Sequence, residues 1–211
     1  MEDGKFITIE GIEGVGKSTH MNRLVKHIES DGHKVVAARE PGGTPTAELI
    51  RDVVLGHSQE PISDIAELLL MFASRSLLVE NVIRPALTAG TWVVCDRFVD
   101  ASRAYQGGGR GIPMEQVNEL AAWVLGDLRP DLTILLDAPV EIGMSRADSR
   151  GNPDRLDVER AEFYTRVRAS YLQLAAAEPD RFLVVDASGD LDEVSASIDA
   201  VAAMLLGKNS N

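Results

Sequence analysis

FITIEGIEGVGKS, residues 6–18, is an apolar run followed by a glycine-rich turn that ends in lysine and serine. The last eight residues fit the pattern G-x-x-x-x-G-K-[ST]. Glycines let backbone N–H groups curve around an anion, and the helix that follows directs its positive end at the same anion. Lysine supplies a cation for the β- and γ-phosphates, and the serine hydroxyl is a ligand for Mg²⁺. The pattern predicts a phosphate-binding loop for a nucleoside triphosphate, formed by Gly11, Ile12, Glu13, Gly14, Val15, Gly16, Lys17, Ser18 and Thr19.

Short apolar runs alternate with amphipathic segments along the whole chain. Such alternation favours parallel strands joined by right-handed helical crossovers. The runs are nearly continuous in apolar residues, which is typical of strands that helices cover on both faces. We therefore predict a single domain with a three-layer α/β P-loop fold and a five-stranded parallel sheet. The predicted strands are Phe6–Glu10, Lys34–Ala38, Thr91–Cys95, Leu132–Asp137 and Phe182–Val185, and the predicted helices are Gly16–Glu29, Thr44–Leu55, Ile65–Leu87 with a bend or end at Pro85, Met114–Leu125, Val140–Ala147, Leu156–Ala177 and Leu191–Leu206.

The 211 residues include 21 basic and 33 acidic side chains, which gives a net charge of −12. This negative charge argues against nucleic acid or an anionic membrane as a non-specific partner. The single cysteine, Cys95, favours a reducing compartment. The first residues do not resemble a signal peptide, and no run of about 18 apolar residues predicts a membrane span. We expect a cytoplasmic protein with Cys95 buried, and with His20, His27, His33 and His57 exposed because they lack the spacing of a metal site.

Several classes of P-loop protein find no support in this sequence. A GTPase would carry an N-K-x-D guanine motif, which is absent, and a motor or large ATPase would need a longer chain. A small nucleotide kinase fits the length. The third predicted strand leads into Asp96 and Arg97, and the second leads into REPGGT, residues 39–44. Since the carboxyl ends of parallel strands share one edge of the sheet, we expect Asp96 near Mg²⁺ and Arg97 facing the reacting phosphates.

Two polar segments are rich in glycine and proline. Residues 106–113, QGGGRGIP, predict a surface turn. Residues 149–154, SRGNPD, predict either a surface turn or part of a lid. Because Arg146, Arg150 and Arg155 surround the second segment, a lid over about 146–156 could close on substrate and exclude water.

The order and spacing of several motifs resemble the bacterial thymidylate kinase family, and the resemblance covers essentially the whole chain. The motifs are FITIEGIEGVGKS at 6–18, REPGGT at 39–44, DRF at 96–98, SRAYQGGGRG at 102–111 and RPDLTILLD at 129–137. The resemblance implies a P-loop kinase that transfers the γ-phosphoryl group of ATP to dTMP, with Mg²⁺ as cofactor. It also implies a homodimer formed through residues 65–87. A kinase for an unphosphorylated deoxynucleoside and a nucleotide-binding regulatory module without turnover remain as alternatives.

The resemblance further implies roles for individual residues. The catalytic residues would be Lys17, Arg97, Arg150 and Glu13, and Arg146 and Arg150 would join the ATP site. The dTMP site would comprise Glu13, Arg39, Phe72, Arg75, Arg97, Ser102, Tyr105 and Gln106, and the Mg²⁺ site would comprise Ser18, Asp96 and Glu40. Arg75 would hydrogen-bond the thymine ring, although an arginine on a helix is also commonly part of a surface ion pair. Ser102 and Gln106 would contact the pyrimidine edge, and Tyr105 would crowd the sugar against a 2′-hydroxyl.

One position departs from the family pattern. Many members place an aromatic residue four residues before the equivalent of Arg75, where it stacks on thymine. This chain has Met71 at that position and Phe72 next to it. One residue turns an α-helix by about 100°. Three interpretations stay open: the ring of Phe72 reaches the base, the flexible side chain of Met71 packs against it, or Phe72 is simply part of the core.

Overall fold

The computed structural model describes residues 4–56, 60–148, 155 and 159–207. Its sheet has five parallel strands in the order β2-β3-β1-β4-β5. In this order the first strand lies in the centre, so the loop after it opens in the middle of the carboxyl edge. The strands are β1 (Phe6–Glu10), β2 (Val35–Arg39), β3 (Trp92–Asp96), β4 (Leu132–Asp137) and β5 (Phe182–Asp186).

Helices connect the strands and cover both faces of the sheet. They are α1 (Lys17–Ser30), α2 (Pro45–Leu55), α3 (Asp64–Leu78), α4 (Arg84–Thr88), α5 (Val99–Ser102), α6 (Met114–Leu125), α7 (Val140–Asp148), α8 (Ala161–Ala177) and α9 (Leu191–Leu205), with π-helical segments at Val79–Ile83 and Arg103–Gly109. None of the helices in the described part of the chain combines the length and the apolar character needed to span a bilayer.

The core consists of two apolar clusters, one on each side of the sheet. Ile7 and Ile9 of β1 pack in one cluster with Leu24 of α1. Phe6, which points to the opposite face of the same strand, packs in the other with Leu78 of α3. The predicted three-layer arrangement is therefore confirmed.

The predicted helix Ile65–Leu87 continues past Pro85 but changes its winding. A π-helical segment at Val79–Ile83 follows α3, and Pro85 lies in the first turn of α4. Proline lacks an N–H donor and its ring obstructs the preceding turn of an α-helix. The widened π turn before Pro85 accommodates this interruption, so the chain stays helical to Thr88.

The interpretation of residues 106–113 as a surface turn is wrong for its first half. Gln106 and Gly109 are buried in a π-helical segment that packs against α8. A Cβ added to Gly109 would lie 2.5 Å from the ring of Phe163, so only glycine permits this approach. The glycines that suggested a flexible turn instead allow this segment to pack closely against α8.

Two smaller expectations are also corrected. The helix predicted to begin at residue 156 begins at Ala161, since Arg160 has an extended backbone. His20 is 2% exposed, because one turn into α1 its ring packs against Gly16 of the loop. Cys95 is buried as expected. His57 and the segment 149–154 lie outside the described residues.

Candidate functional site

A cleft of about 390 Å³ opens where β1, β2 and β3 end at their carboxyl edge. The lining includes the predicted residues Glu13, Gly14, Gly16, Lys17, Ser18, Thr19, Arg39, Glu40, Asp96, Arg97 and Arg146. Residues from the P-loop, from the loop after β2 and from the end of β3 therefore converge, as the strand order requires. The arginines and the lysine give the cleft a local positive charge in a chain of net negative charge.

The loop after β1 has the backbone that a phosphate cradle needs. Gly14 has a φ of 73°, and a Cβ there would lie 1.9 Å from the carbonyl oxygen of Gly143 in α7. Only glycine combines that conformation with such a close approach. Lys17, 7% exposed, donates from Nζ to the carbonyl oxygens of Gly11 at 3.2 Å and Ile12 at 2.8 Å.

Several charged side chains surround the amine of Lys17. Burial, followed by the positive charge of Arg97, lowers the pKa of Lys17. The carboxylate of Glu13, 3.7 Å from Nζ, opposes that shift. A triphosphate at this position would add negative charge and favour the protonated amine.

Ser18 and Asp96 form the part of the cleft suited to a divalent cation. The hydroxyl of Ser18 donates to Oδ2 of Asp96 at 3.0 Å, while Oδ1 is buried and accepts no hydrogen bond from the described residues. These two oxygen ligands fit Mg²⁺, which usually keeps several waters and binds substrate phosphates as well. Within the described ranges, no group of three His, Cys, Asp or Glu side chains could hold a metal by itself.

Arg97 links the phosphate loop to the other half of the cleft. Its φ of 67° lies in the left-handed region, which is strained for a residue with a Cβ. Its guanidinium donates to the carbonyl oxygen of Gly11 at 3.0 Å, to Oε1 of Glu13 at 2.5 Å and to the hydroxyl of Tyr105 at 3.1 Å. Burial alone would lower the pKa of Arg97, but the carboxylate of Glu13 and other groups raise it well above its usual value.

Glu10 and Tyr171 are neighbours of the site that our sequence reasoning missed. Glu10, the last residue of β1, is fully buried; it accepts hydrogen bonds from the Phe98 N–H and the Tyr171 hydroxyl, both at 2.7 Å. Burial, followed by the charge of Asp100, raises the pKa of Glu10 to about 8. A charged residue at the end of an apolar strand was the signal used for Asp96, and it applies equally to Glu10.

A second group of side chains, all buried, surrounds Arg75 on α3. Arg75 is 0% exposed, which excludes the alternative of a surface ion pair. Its Nε donates to Oε2 of Glu40 at 2.8 Å, and its terminal nitrogens donate to the Ser102 hydroxyl at 3.0 Å and to the Phe98 carbonyl at 2.9 Å. Glu40 is thus paired with Arg75, and its predicted role at Mg²⁺ stays a prediction.

The surroundings of Met71 and Phe72, one turn before Arg75 on α3, do not show which of them packs on the base. Phe72 is 2% exposed and belongs to the core cluster, and its ring centroid lies 4.6 Å from the Arg75 guanidinium carbon. Met71 is 6% exposed. Both side chains are therefore buried beside Arg75.

The remaining predicted residues differ in their surroundings. Arg39 is exposed and donates to Glu48 at 2.8 Å. Arg146 donates to the carbonyl oxygens of residues 187–189 and so binds the loop after β5. Arg150 lies outside the described residues. Arg51 of α2 also lines the cleft, and it belongs to none of the motifs quoted above.

Comparisons with known proteins agree with this geometry. A sequence profile described as Thymidylate kinase matches residues 9–198. The chain is 49% identical over 203 residues to a thymidylate kinase of Pseudomonas fluorescens, covering 96% of this chain and 97% of that protein. It is 52% identical over 198 residues to one of Methylococcus capsulatus, covering 94% of each. A crystal structure of thymidylate kinase from Ehrlichia chaffeensis matches with a TM-score of 0.75 at 32% identity, covering 94% of this chain and 98% of that one.

Proposed function

The chain belongs to the thymidylate kinase family, and we propose that it transfers the γ-phosphoryl group of ATP to dTMP, giving dTDP and ADP, with Mg²⁺ as cofactor. The observation that carries the proposal is the position of Arg97 and Glu13 between two unlike halves of the site. One half is the phosphate loop with Lys17, and the other is the buried group of side chains around Arg75. Such a site brings a triphosphate and a second, planar acceptor to one edge of the sheet.

The donor half is assigned to the loop residues Gly11 to Thr19. Their backbone N–H groups and the start of α1 would hold the ATP phosphates. Lys17 would neutralise charge on the β- and γ-phosphates. Arg146 would contribute to the ATP site through the loop after β5, to which it is bonded. Arg150 would complete it as part of a lid over about 146–156.

The acceptor half is assigned to the buried polar and apolar side chains around Arg75. Arg75, Ser102 and Gln106 would face the thymine edge, while Phe72 or Met71 would pack against the ring. Tyr105, held by Arg97, would lie against the sugar. Arg39, Arg97 and Glu13 would contact the acceptor near its phosphate.

Ser18 and Asp96 would hold Mg²⁺, with Glu40 as an assisting carboxylate. When bound, the cation supplies positive charge to the phosphate oxygens. In the transfer itself, an oxygen of the dTMP phosphate forms a bond to the γ-phosphorus as the bond to the bridging oxygen of ADP breaks. Lys17, Arg97 and Arg150 would share the charge that develops, so catalysis is positioning plus electrostatic stabilisation.

The test is ADP release from Mg-ATP with dTMP, dUMP, UMP, dCMP, dGMP and thymidine as acceptors. Preference for dTMP supports the proposal. Preference for thymidine would instead favour a deoxynucleoside kinase. ATP binding without ADP release for any acceptor would favour a regulatory module.

We extend the proposal to the setting of the enzyme. We propose a cytoplasmic location for a single kinase domain over residues 1–211, which the single, buried cysteine Cys95 supports. The exposed side chains of Ile65 and Leu69 on α3 support a homodimer through residues 65–87. The proposed partners are ATP and dTMP, with no nucleic acid and no membrane.

A further inference from the structure

Two hydrogen-bonded side-chain pairs join α3 to the segment 102–106. At one end Arg75 donates to the hydroxyl of Ser102 at 3.0 Å. At the other end Nε2 of Gln106 donates to Oε1 of Glu67 at 2.8 Å. Residues 67, 71 and 75 recur at intervals of four and so lie on one face of the helix. Met71 therefore lies between the two pairs, among the side chains that the proposed function assigns to the base.

The hydrogen bond between Glu67 and Gln106 fixes which end of the Gln106 side-chain amide faces Glu67. An ionised carboxylate only accepts hydrogen bonds, so it binds the NH₂ end of Gln106 and turns the carbonyl end away. That carbonyl oxygen, Oε1, is buried and accepts no hydrogen bond from the described residues. Buried polar atoms are nearly always paired, so this oxygen calls for a partner such as an ordered water or a group of the substrate.

The surroundings of Glu67 keep its carboxylate ionised. Glu67 is 1% exposed; it accepts from Nη2 of Arg110 at 3.1 Å and also from Nη2 of Arg155. Burial alone would raise the pKa of Glu67, but hydrogen bonds from Arg110, Gln106 and Arg155 lower it. The carboxylate is therefore an acceptor at neutral pH.

We propose that Glu67 is a positioning residue for base recognition, which holds the Gln106 amide so that its carbonyl oxygen accepts a hydrogen bond from the base. An acceptor there matches a pyrimidine whose N3 carries a hydrogen, as in thymine. The same oxygen would repel cytosine, whose N3 is itself a hydrogen-bond acceptor. The inference rests on the proposed function, since it takes Gln106 to face the base of dTMP.

The test compares KM and kcat for dTMP and dCMP in three variants and a control. Glu67→Gln lets the two amides adopt either direction, so KM for dTMP rises roughly tenfold while kcat stays within about threefold. The preference for dTMP over dCMP falls in parallel. Gln106→Glu alone places two carboxylates in contact and also raises KM. Combining Glu67→Gln with Gln106→Glu exchanges donor and acceptor, leaves an acceptor toward the base and returns KM to within about threefold of wild type.

The control is Arg110→Gln, which removes another partner of Glu67 but leaves its bond to Gln106. It keeps KM for dTMP near the wild-type value even though the protein loses stability. An unchanged KM in Glu67→Gln, an equal rise in Arg110→Gln, or no recovery in the double variant would overturn the inference. If Glu67→Gln does not fold, the double variant decides, because a KM more than about threefold above wild type contradicts the exchange. Wild-type protein without dTMP turnover would overturn the proposed function and this inference together.

Discussion

The proposed donor half of the site depends most on Lys17. Its amine is buried against the carbonyl oxygens of Gly11 and Ile12, so it is already positioned in the phosphate loop. Lys17→Ala should lower kcat on the order of 10²-fold or more, a barrier change of ~3 kcal/mol. Steady-state ADP release with saturating dTMP measures it.

Lys26 provides the matched control for that experiment. It lies on the exposed side of the same helix α1. Lys26→Ala should therefore leave turnover unchanged. Near-normal turnover in Lys17→Ala would contradict the assignment of the loop.

Glu10 should make the stability of the fold depend on pH. Its pKa is raised from 4.5 to about 8 in the folded chain, so between these values the folded state holds a proton that the unfolded state has released. The free energy of unfolding must then fall as pH rises through this window and level off above it. Glu10→Gln mimics the neutral form and removes this contribution.

Urea unfolding of wild type and Glu10→Gln at pH 6 and pH 8.5 measures the effect. The variant should gain roughly 2 kcal/mol relative to wild type between the two conditions. Other titrating groups are common to both proteins and cancel in the comparison. A difference that does not change with pH would show that Glu10 titrates in its ordinary range.

At the scale of residues, motifs predicted the parts of the site that local chemistry dictates. Lys17, Ser18 and Asp96 converge as expected because a P-loop and a strand end have fixed positions in a parallel sheet. Glu10 was missed although, like Asp96, it ends an apolar strand. Glu67 was missed because its partners Arg110 and Gln106 come from elements distant in sequence. A single sequence carries no local signal for such contacts.

The ion pair between Arg75 and Glu40 joins two elements, α3 and the loop after β2. Both side chains are buried, at 0% and 3% exposure, so neither charge is hydrated. Arg75→Met should lower the free energy of unfolding by about 3–5 kcal/mol, because it leaves Glu40 buried without its partner. Adding Glu40→Leu should recover a large part of that loss. Urea denaturation of both variants checks this, and a double variant no more stable than Arg75→Met would contradict it.

At the scale of elements, apolar runs and helical repeats predicted the observed strands and helices, whereas the glycine-rich segment 106–113 led to a wrong prediction. The bounds of β1, β4 and α6 agree with the prediction because an apolar run or a helical repeat ends sharply at each of them. Residues 106–109 were mistaken for a turn, since glycine marks both flexible loops and tight helix contacts. Only the packing against α8 separates the two.

At the scale of the whole molecule, the neighbouring helices α2 and α3 carry exposed apolar side chains. The side chains of Leu49, Val53, Ile65 and Leu69 are each more than half exposed, at 66%, 55%, 51% and 51%. Exposed apolar side chains on neighbouring elements are typical of a protein interface. Sedimentation should therefore give twice the mass of one chain for wild type and the mass of one chain for Leu69→Glu. Met204→Glu, on α9 at another surface, should remain a dimer; monomeric wild type would contradict the prediction.

The left-handed backbone of Arg97 has a consequence for how this protein changes over generations. This backbone conformation lowers the stability of the fold by roughly 1–2 kcal/mol for a residue with a Cβ, whereas glycine adopts it at almost no cost. Glycine at this position would relieve that cost but would leave the Glu13 carboxylate without its ion-pair partner, a loss at least as large. In a lineage released from the need for the reaction, glycine should therefore appear at position 97 only where residue 13 has also lost its negative charge.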